Sequence, residues 1–119
     1  MALTLYGLTQ CSTCAKARAW LDQHAIAHQF IDYRARPIGP VELKTWAKAL
    51  GGVEKLVNRA SMTWRQLAEA LKDPQSDAQW LELIAQYPAL IRRPLALYPD
   101  GSVTVGFNEK RYTEKLKIA

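Results

Sequence analysis

Three segments near the N-terminus leave this chain few folds to choose from. Leu3-Thr4-Leu5-Tyr6 is a short apolar run closed by Gly7, and it reads as a buried strand. Thr13 to His24 follows as a helix, with Cys14, Ala17 and Leu21 on one face by i, i+3, i+7 spacing. His28 to Tyr33, with Phe30 and Asp32 in alternation, reads as a second strand. Strands joined through a helix run parallel, and such crossovers are right-handed in nearly all known sheets.

The middle of the chain is helical in pattern. Gly39-Pro40 marks a break, and Pro40 suits the first turn of a helix, where its missing N–H is not needed. Leu43, Trp46, Ala47 and Leu50 form an i, i+3, i+4, i+7 stripe that Gly51-Gly52 stops. Thr63-x-x-Gln66 has the form of a capping box, with a stripe of Trp64, Leu67, Ala68 and Leu71. Ser76-x-x-Gln79 is a second, ahead of Trp80, Leu83, Ile84 and Tyr87. The spacing predicts a helical block over residues 40–87, with Trp20, Trp46, Trp64 and Trp80 as packing residues. Strand patterns return at Pro94 to Tyr98 and Val103 to Phe107, joined by the turn Pro99-Asp100-Gly101-Ser102. Asn108 can cap a last helix running to Leu116. The order β–α–β, helices, β–β–α resembles a thioredoxin-like fold: α/β, with a four-stranded mixed sheet and a central helical insertion. The 119 residues suffice for one core, so residues 1–119 are expected to form a single domain.

Between the first strand and the first helix lies Cys11-Ser12-Thr13-Cys14, which holds the only two cysteines of the chain. A thiol at a helix N-terminus meets unsatisfied N–H groups and the positive end of the dipole, which favour the nucleophilic thiolate. Cys11 sits at that mouth and is the candidate nucleophile. Cys14, one turn in, lies within disulfide reach and could resolve an adduct on Cys11. Its spacing on the apolar face equally suits a small core residue.

Other chemistries are less well served. No run of about 18 apolar residues exists, so no membrane span is expected. The N-terminus enters a strand pattern at once, without a basic leader or cleavage site, so no signal peptide is expected. Two cysteines do not make a disulfide scaffold, and a lone C-x-x-C near a β–α pattern reads as a redox pair or part of a metal site. The net charge of +5 is spread along the chain without a block of five basic residues, as in solvated faces rather than a nucleic-acid footprint. Cys11, Cys14, His24 and His28 give C-x2-C-x9-H-x3-H. A zinc finger needs a spacer of about 12 residues and a hairpin around its cysteines. His24 instead reads as a cation near a helix C-terminus, and His28 as an exposed strand-entry residue. No metal is expected.

The second constellation is Pro88-Ala89-Leu90-Ile91-Arg92-Arg93-Pro94-Leu95. A proline can open a strand. In thioredoxin-like folds the proline before this strand is cis and faces the cysteine loop, so a cis Arg93-Pro94 bond is expected. Arg93 could then present a bidentate fork to an anion beside Cys11. Arg92 reads as a solvated surface residue.

Taken together, several pieces in order carry a family resemblance through nearly the whole length. They are Thr4-Leu5-Tyr6-Gly7, Cys11-x-Thr13-x-x-Lys16-Ala17-Arg18-x-Trp20-Leu21 and Asp32-Tyr33-Arg34. Further pieces are Leu56-Val57-Asn58-Arg59, Thr63-Trp64-Arg65-x-Leu67, Pro88-Ala89-Leu90-Ile91-x-Arg93-Pro94 and Gly106-Phe107. The chain resembles the arsenate reductase-like family, the group containing ArsC, Spx and YffB, and most closely its YffB-type branch of proposed glutathione-dependent thiol reductases. The resemblance implies that Cys11 is the nucleophile. In arsenate reductases that cysteine attacks the oxyanion, three arginines hold it, and glutathione and glutaredoxin complete the cycle. Arg93 matches the arginine before the proline, and Arg59 lies where another is expected. Gly106-Phe107 occupies the stretch of the third. Spx regulators carry a C-x-x-C switch and bind RNA polymerase. This chain shares the cysteine pair and Gly-Phe with them, but Asp32-Tyr33-Arg34 and Thr63-Trp64-Arg65 more closely with YffB. The expectation is a cytoplasmic thiol-dependent reductase with glutathione as co-substrate and no bound cofactor. The alternatives are an arsenate reductase and an Spx-like redox-responsive regulator that binds RNA polymerase.

Overall fold

The computed structural model describes residues 3–118. In chain order its elements are β1 (Leu3–Gly7), α1 (Ser12–Gln23), β2 (His28–Asp32), α2 (Pro40–Leu50), α3 (Met62–Arg65), α4 (Asp77–Gln86), β3 (Leu95–Leu97), β4 (Val103–Val105) and α5 (Glu109–Leu116). They fall into two compact units: residues up to Arg36 together with those from Arg93 onward, and Pro37–Arg92.

The first unit holds the sheet, in the order β2-β1-β3-β4. β1 and β2 are parallel, in register from Leu3 opposite His28 to Gly7 opposite Asp32. β3 runs antiparallel to β1, with Leu5 opposite Ala96, and β4 antiparallel to β3. This is the expected four-stranded mixed sheet of a thioredoxin-like fold. Leu3, Leu5, Ala96 and Tyr98 bury themselves against Ala17, Trp20 and Leu21 of α1 and Tyr112 of α5. Tyr112 is the centre of an aromatic group. Its ring meets Phe107 edge-on at 5.0 Å, Trp20 at 5.9 Å and Tyr98 at 6.2 Å. Each such pair adds about 0.5–1.5 kcal/mol beyond its buried area. Phe107 belongs to this group rather than to a strand, so the hairpin arm ends at Val105 and not at Phe107. Asn108 caps α5 as expected, its Oδ1 accepting from Arg111 N at 2.9 Å.

The second unit holds the helical block. Pro40 opens α2, and Gly51 follows it at φ 97°, a left-handed conformation that a glycine adopts without penalty. Ser76 Oγ caps α4 by accepting from Gln79 N at 3.2 Å. The reciprocal bond of the box is displaced by one residue, because Gln79 Oε1 takes the Gln75 N–H at 2.6 Å. The stripe at residues 64–71 is not one helix. Ser61, not Thr63, is the cap, accepting from Trp64 N at 3.2 Å. α3 is a single turn, and a separate 3-10 turn, Glu69–Leu71, follows extended Ala68. Neither piece buries a side chain of its own. A helix without a buried face has no packing energy to set against its nucleation cost. Trp64 is accordingly half-buried, stacked 6.0 Å from Trp80, while Trp20, Trp46 and Trp80 are buried.

α1 ends in a Schellman arrangement: Ile26 N–H reaches Leu21 O at 2.9 Å and Ala25 N–H reaches Asp22 O at 3.1 Å. The left-handed position is filled by Ala25, at φ 54°. A Cβ there costs about 1–2 kcal/mol, offset in part by the backbone entropy a glycine loses on folding. Ala25→Gly is therefore expected to raise stability by about 0.5–1 kcal/mol in urea unfolding. A loss of stability would show that Ala25 is not strained.

Candidate active site

Parallel pairing places the C-terminal ends of β1 and β2 side by side, where α/β sheets bind their ligands. From Gly7 the chain turns through Leu8-Thr9-Gln10, and Cys11 N–H closes the turn on Leu8 O at 3.1 Å. Cys11 is the N-cap residue of α1: its backbone is extended, and its carbonyl accepts from Ala15 N–H at 3.0 Å. The first turn of α1 carries no acidic residue to neutralise the dipole. Asp32 anchors the turn from the neighbouring strand. Its Oδ2 accepts from Thr9 Oγ1 at 2.6 Å and Thr9 N at 2.9 Å, and its Oδ1 from Arg34 N at 2.8 Å. These donors, the Thr9 hydroxyl foremost, hold the Asp32 pKa down at about 2.

The two thiols form no disulfide with each other and differ sharply. Partial burial opposes ionisation of Cys11. The Cys14 amide, the Cys14 thiol, the Arg93 guanidinium and the Thr13 amide all hydrogen-bond its sulfur and together carry its pKa below the ordinary value. Cys14 is 1 % exposed. Burial, aided by the Cys11 sulfur beside it, pushes its pKa up to about 12, against the Leu8 amide and Arg93. Cys14 is thus both a core residue and a hydrogen-bond donor to Cys11. Gly7 makes this possible: a Cβ on it would stand 2.5 Å from Cys14 Sγ and 3.2 Å from the Phe30 ring.

The Arg93–Pro94 bond is cis, as the fold resemblance implied. Arg93 is half-buried, bonds the Cys11 sulfur and approaches Tyr33 Oη at 3.5 Å. A cleft of about 380 Å³ opens beside Cys11, lined by Leu8, Thr9, Gln10, Asp32, Arg34 and Arg93. Thr9, Asp32, Tyr33 and Arg34 escaped the sequence reading as site residues. Their signal was the parallel pairing itself, which sets the end of β2 against the loop after β1. Arg59 belongs to the other unit, where its guanidinium lies 5.6 Å over Trp64 and 5.3 Å over Trp80. Arg92 is exposed. Among the described residues no group of three or more His, Cys, Asp or Glu side chains is placed to hold a metal. His24 Nδ1 pairs with Trp20 O at 2.8 Å. The His28 side chain is only 10 % exposed, its Nδ1 on Ile26 O at 2.9 Å, so it is not the exposed strand-entry residue expected. Among the described residues no helix is long and apolar enough to cross a membrane.

The sequence pattern of the ArsC family matches residues 6–115. The chain belongs to the ArsC family. A protein of Haemophilus influenzae is 40% identical over 110 residues, covering 92% of this chain and 95% of that protein. The global transcriptional regulator Spx of Enterococcus faecalis is 35% identical over 90% of this chain and 80% of its own. The solved structure of a YffB protein superposes with a TM-score of 0.87 at 38% identity, covering 97% of this chain and 99% of that one. The family is thus one of thiol-dependent reductase-like folds that also includes a regulator.

Two substitutions test the geometry. Gly7→Ala is expected to destabilise by about 1–3 kcal/mol through overpacking. In a Cys14→Ala background that loss should shrink markedly, and equal losses in both backgrounds would mean Cys14 is not the obstacle. Arg93 stabilises the charged form of Cys11, so Arg93→Ala raises the Cys11 pKa. The pH profile of iodoacetamide alkylation, followed by mass spectrometry, should then move to higher pH. An unmoved profile would remove Arg93 from the site.

Proposed function

We propose that this chain is a cytoplasmic thiol-dependent reductase that uses Cys11 as nucleophile and glutathione as co-substrate. The observation that carries this reading is Cys11 itself: a helix N-cap thiol with a lowered pKa, bonded by Arg93 and Cys14, at the wall of an open cleft. Such a thiolate attacks the glutathione sulfur of a mixed disulfide. The Cys11–glutathione bond forms, the old S–S bond breaks, and the second thiol leaves with the electron pair and is protonated by water. A second glutathione thiolate, or Cys14, then displaces the bound glutathione. Glutathione supplies the two electrons and ends as its disulfide, through an internal Cys11–Cys14 disulfide on the second route.

Cys14 is better able to attack after the first step than before it. Its pKa is raised by burial and by the hydrogen bond and charge of the Cys11 thiolate. Adduct formation consumes that charge, so the Cys14 pKa falls when its attack is required. Arg93 would hold an anionic group of the substrate. Arsenate reduction is the less favoured chemistry. Gly106 and Phe107 bring no cation, and the Phe107 ring is committed to Trp20 and Tyr112. A second reading, a redox-responsive regulator that binds RNA polymerase, draws on the Spx relative and on the contact between the two thiols.

The test is turnover of a glutathione mixed disulfide, coupled to glutathione reductase. Cys11→Ser is expected to abolish turnover. Cys14→Ser should lower it several-fold if Cys14 resolves the adduct and leave it intact if glutathione does. No turnover by the unaltered protein would overturn the reductase reading and favour the regulator.

A further inference from the structure

The cleft beside Cys11 carries charges of both signs. Its wall carries two cations, Arg34 and Arg93, and one anion, Asp32, with the neutral polar side chains of Thr9 and Gln10 between. Arg34 and Asp32 are neighbours at the end of β2, on either side of buried Tyr33. Asp32 is not a mobile surface carboxylate. Three hydrogen bonds of 2.6–2.9 Å fix it to Thr9 and Arg34. A fourth, from Ala35 N, is long at 3.4 Å. Two carboxylate oxygens offer about four acceptor directions, so the long Ala35 contact on Oδ1 is the one an incoming donor would displace.

This pattern discriminates among ligands. With the Cys11 thiolate in place, two cations face two anions, and a dianionic oxyanion gains little from entering. A ligand that carries one positive and one negative group a few ångströms apart satisfies both sides. Guanidinium groups match a carboxylate fork, and a carboxylate matches an ammonium. A volume of about 380 Å³ is ample for an amino acid attached to a reacting sulfur.

We infer that the cleft recognises its small thiol through an α-amino-acid zwitterion, the carboxylate toward Arg34 and Arg93 and the ammonium toward Asp32. This rests on the reductase reading. Free cysteine and the γ-glutamyl residue of glutathione both supply the chemistry. In the step itself, the Cys11 thiolate attacks the sulfur of the small thiol held in the cleft. A new disulfide joins Cys11 to that thiol, and the partner thiolate leaves with the electron pair of the broken bond. A second small thiol of the same class reduces the adduct.

The test uses five pyridyl disulfides that share one neutral leaving group. Their small thiols are cysteine, glutathione, cysteamine, 3-mercaptopropionate and 2-mercaptoethanol. Release of pyridine-2-thione by the whole protein is followed in a single turnover. Each rate is divided by that of free 2-mercaptoethanol with the same disulfide, which removes intrinsic reactivity. Cysteine or glutathione, or both, should exceed the other three by about tenfold, the worth of one charge-assisted pair. Whichever of the two is faster identifies the source of the zwitterion. Arg34→Gln should reduce that preference several-fold. Asp32→Asn should raise the relative rate of 3-mercaptopropionate, whose carboxylate no longer faces an opposing charge. Arg34 is exposed, so Arg34→Gln remains informative if Asp32→Asn fails to fold. Equal normalised rates for all five would overturn the zwitterion proposal and leave the reductase reading standing. No release from any of them, by a protein whose Cys11 still reacts with iodoacetamide, would overturn both.

Discussion

Parallel pairing of β1 with β2 is the constraint on which the candidate site depends. Register brings Gly7 opposite Asp32. Asp32 then reaches Thr9, two residues beyond Gly7, and immobilises the turn that delivers Cys11 to the mouth of α1. The next residue of the second strand's path, Tyr33, is tied back to Gly7 O through its own N–H at 3.0 Å and leans on Arg93. A one-residue slip in the pairing would send Asp32 to the opposite face of the sheet. The helix dipole would survive such a slip, but the anchor of the turn would not.

The cysteine pair illustrates how one environment gives two thiols opposite characters. Both stand at the first turn of α1, and both feel Arg93. Cys11 keeps access to solvent and collects donors, so its thiolate is favoured. Cys14 loses solvent to the core and faces an anionic sulfur, so its proton is retained. The retained proton is itself one of the donors that stabilise Cys11. Desolvation of one thiol thus supports ionisation of the other, and Gly7 supplies the space for that arrangement.

Much of the architecture was legible because it rests on local rules. The apolar run at Leu3, the stripe of α2, Gly51 beyond it and the Asn108 cap all announced elements that the structure contains. The stretch around Trp64 was misread, and the reason is instructive. Thr63-x-x-Gln66 has the letters of a capping box, but Ser61 lies two residues earlier and takes the same role with Trp64 N–H. A periodic stripe then predicts a helix only where something covers it. Here Leu67 alone is buried, and the backbone leaves the helix at Ala68. Phe107 was likewise placed on a strand by its apolar character, whereas it packs on Tyr112 of the following helix and on Trp20, far away in sequence.

By itself the sequence determined the β–α–β start and the thiol at a helix N-terminus, since each is a matter of residue type and neighbouring spacing, while the cis proline was expected from the resemblance to thioredoxin-like folds. It also determined membership of the ArsC family, through short pieces in a fixed order. Only the tertiary structure decided which charges surround Cys11. Asp32, Arg34 and Arg93 are separated from it by 21 to 82 residues and meet it through sheet register and a strand crossover. The strength of a charge–charge contact depends on distance and on exclusion of water, and neither is written in a linear order of residues.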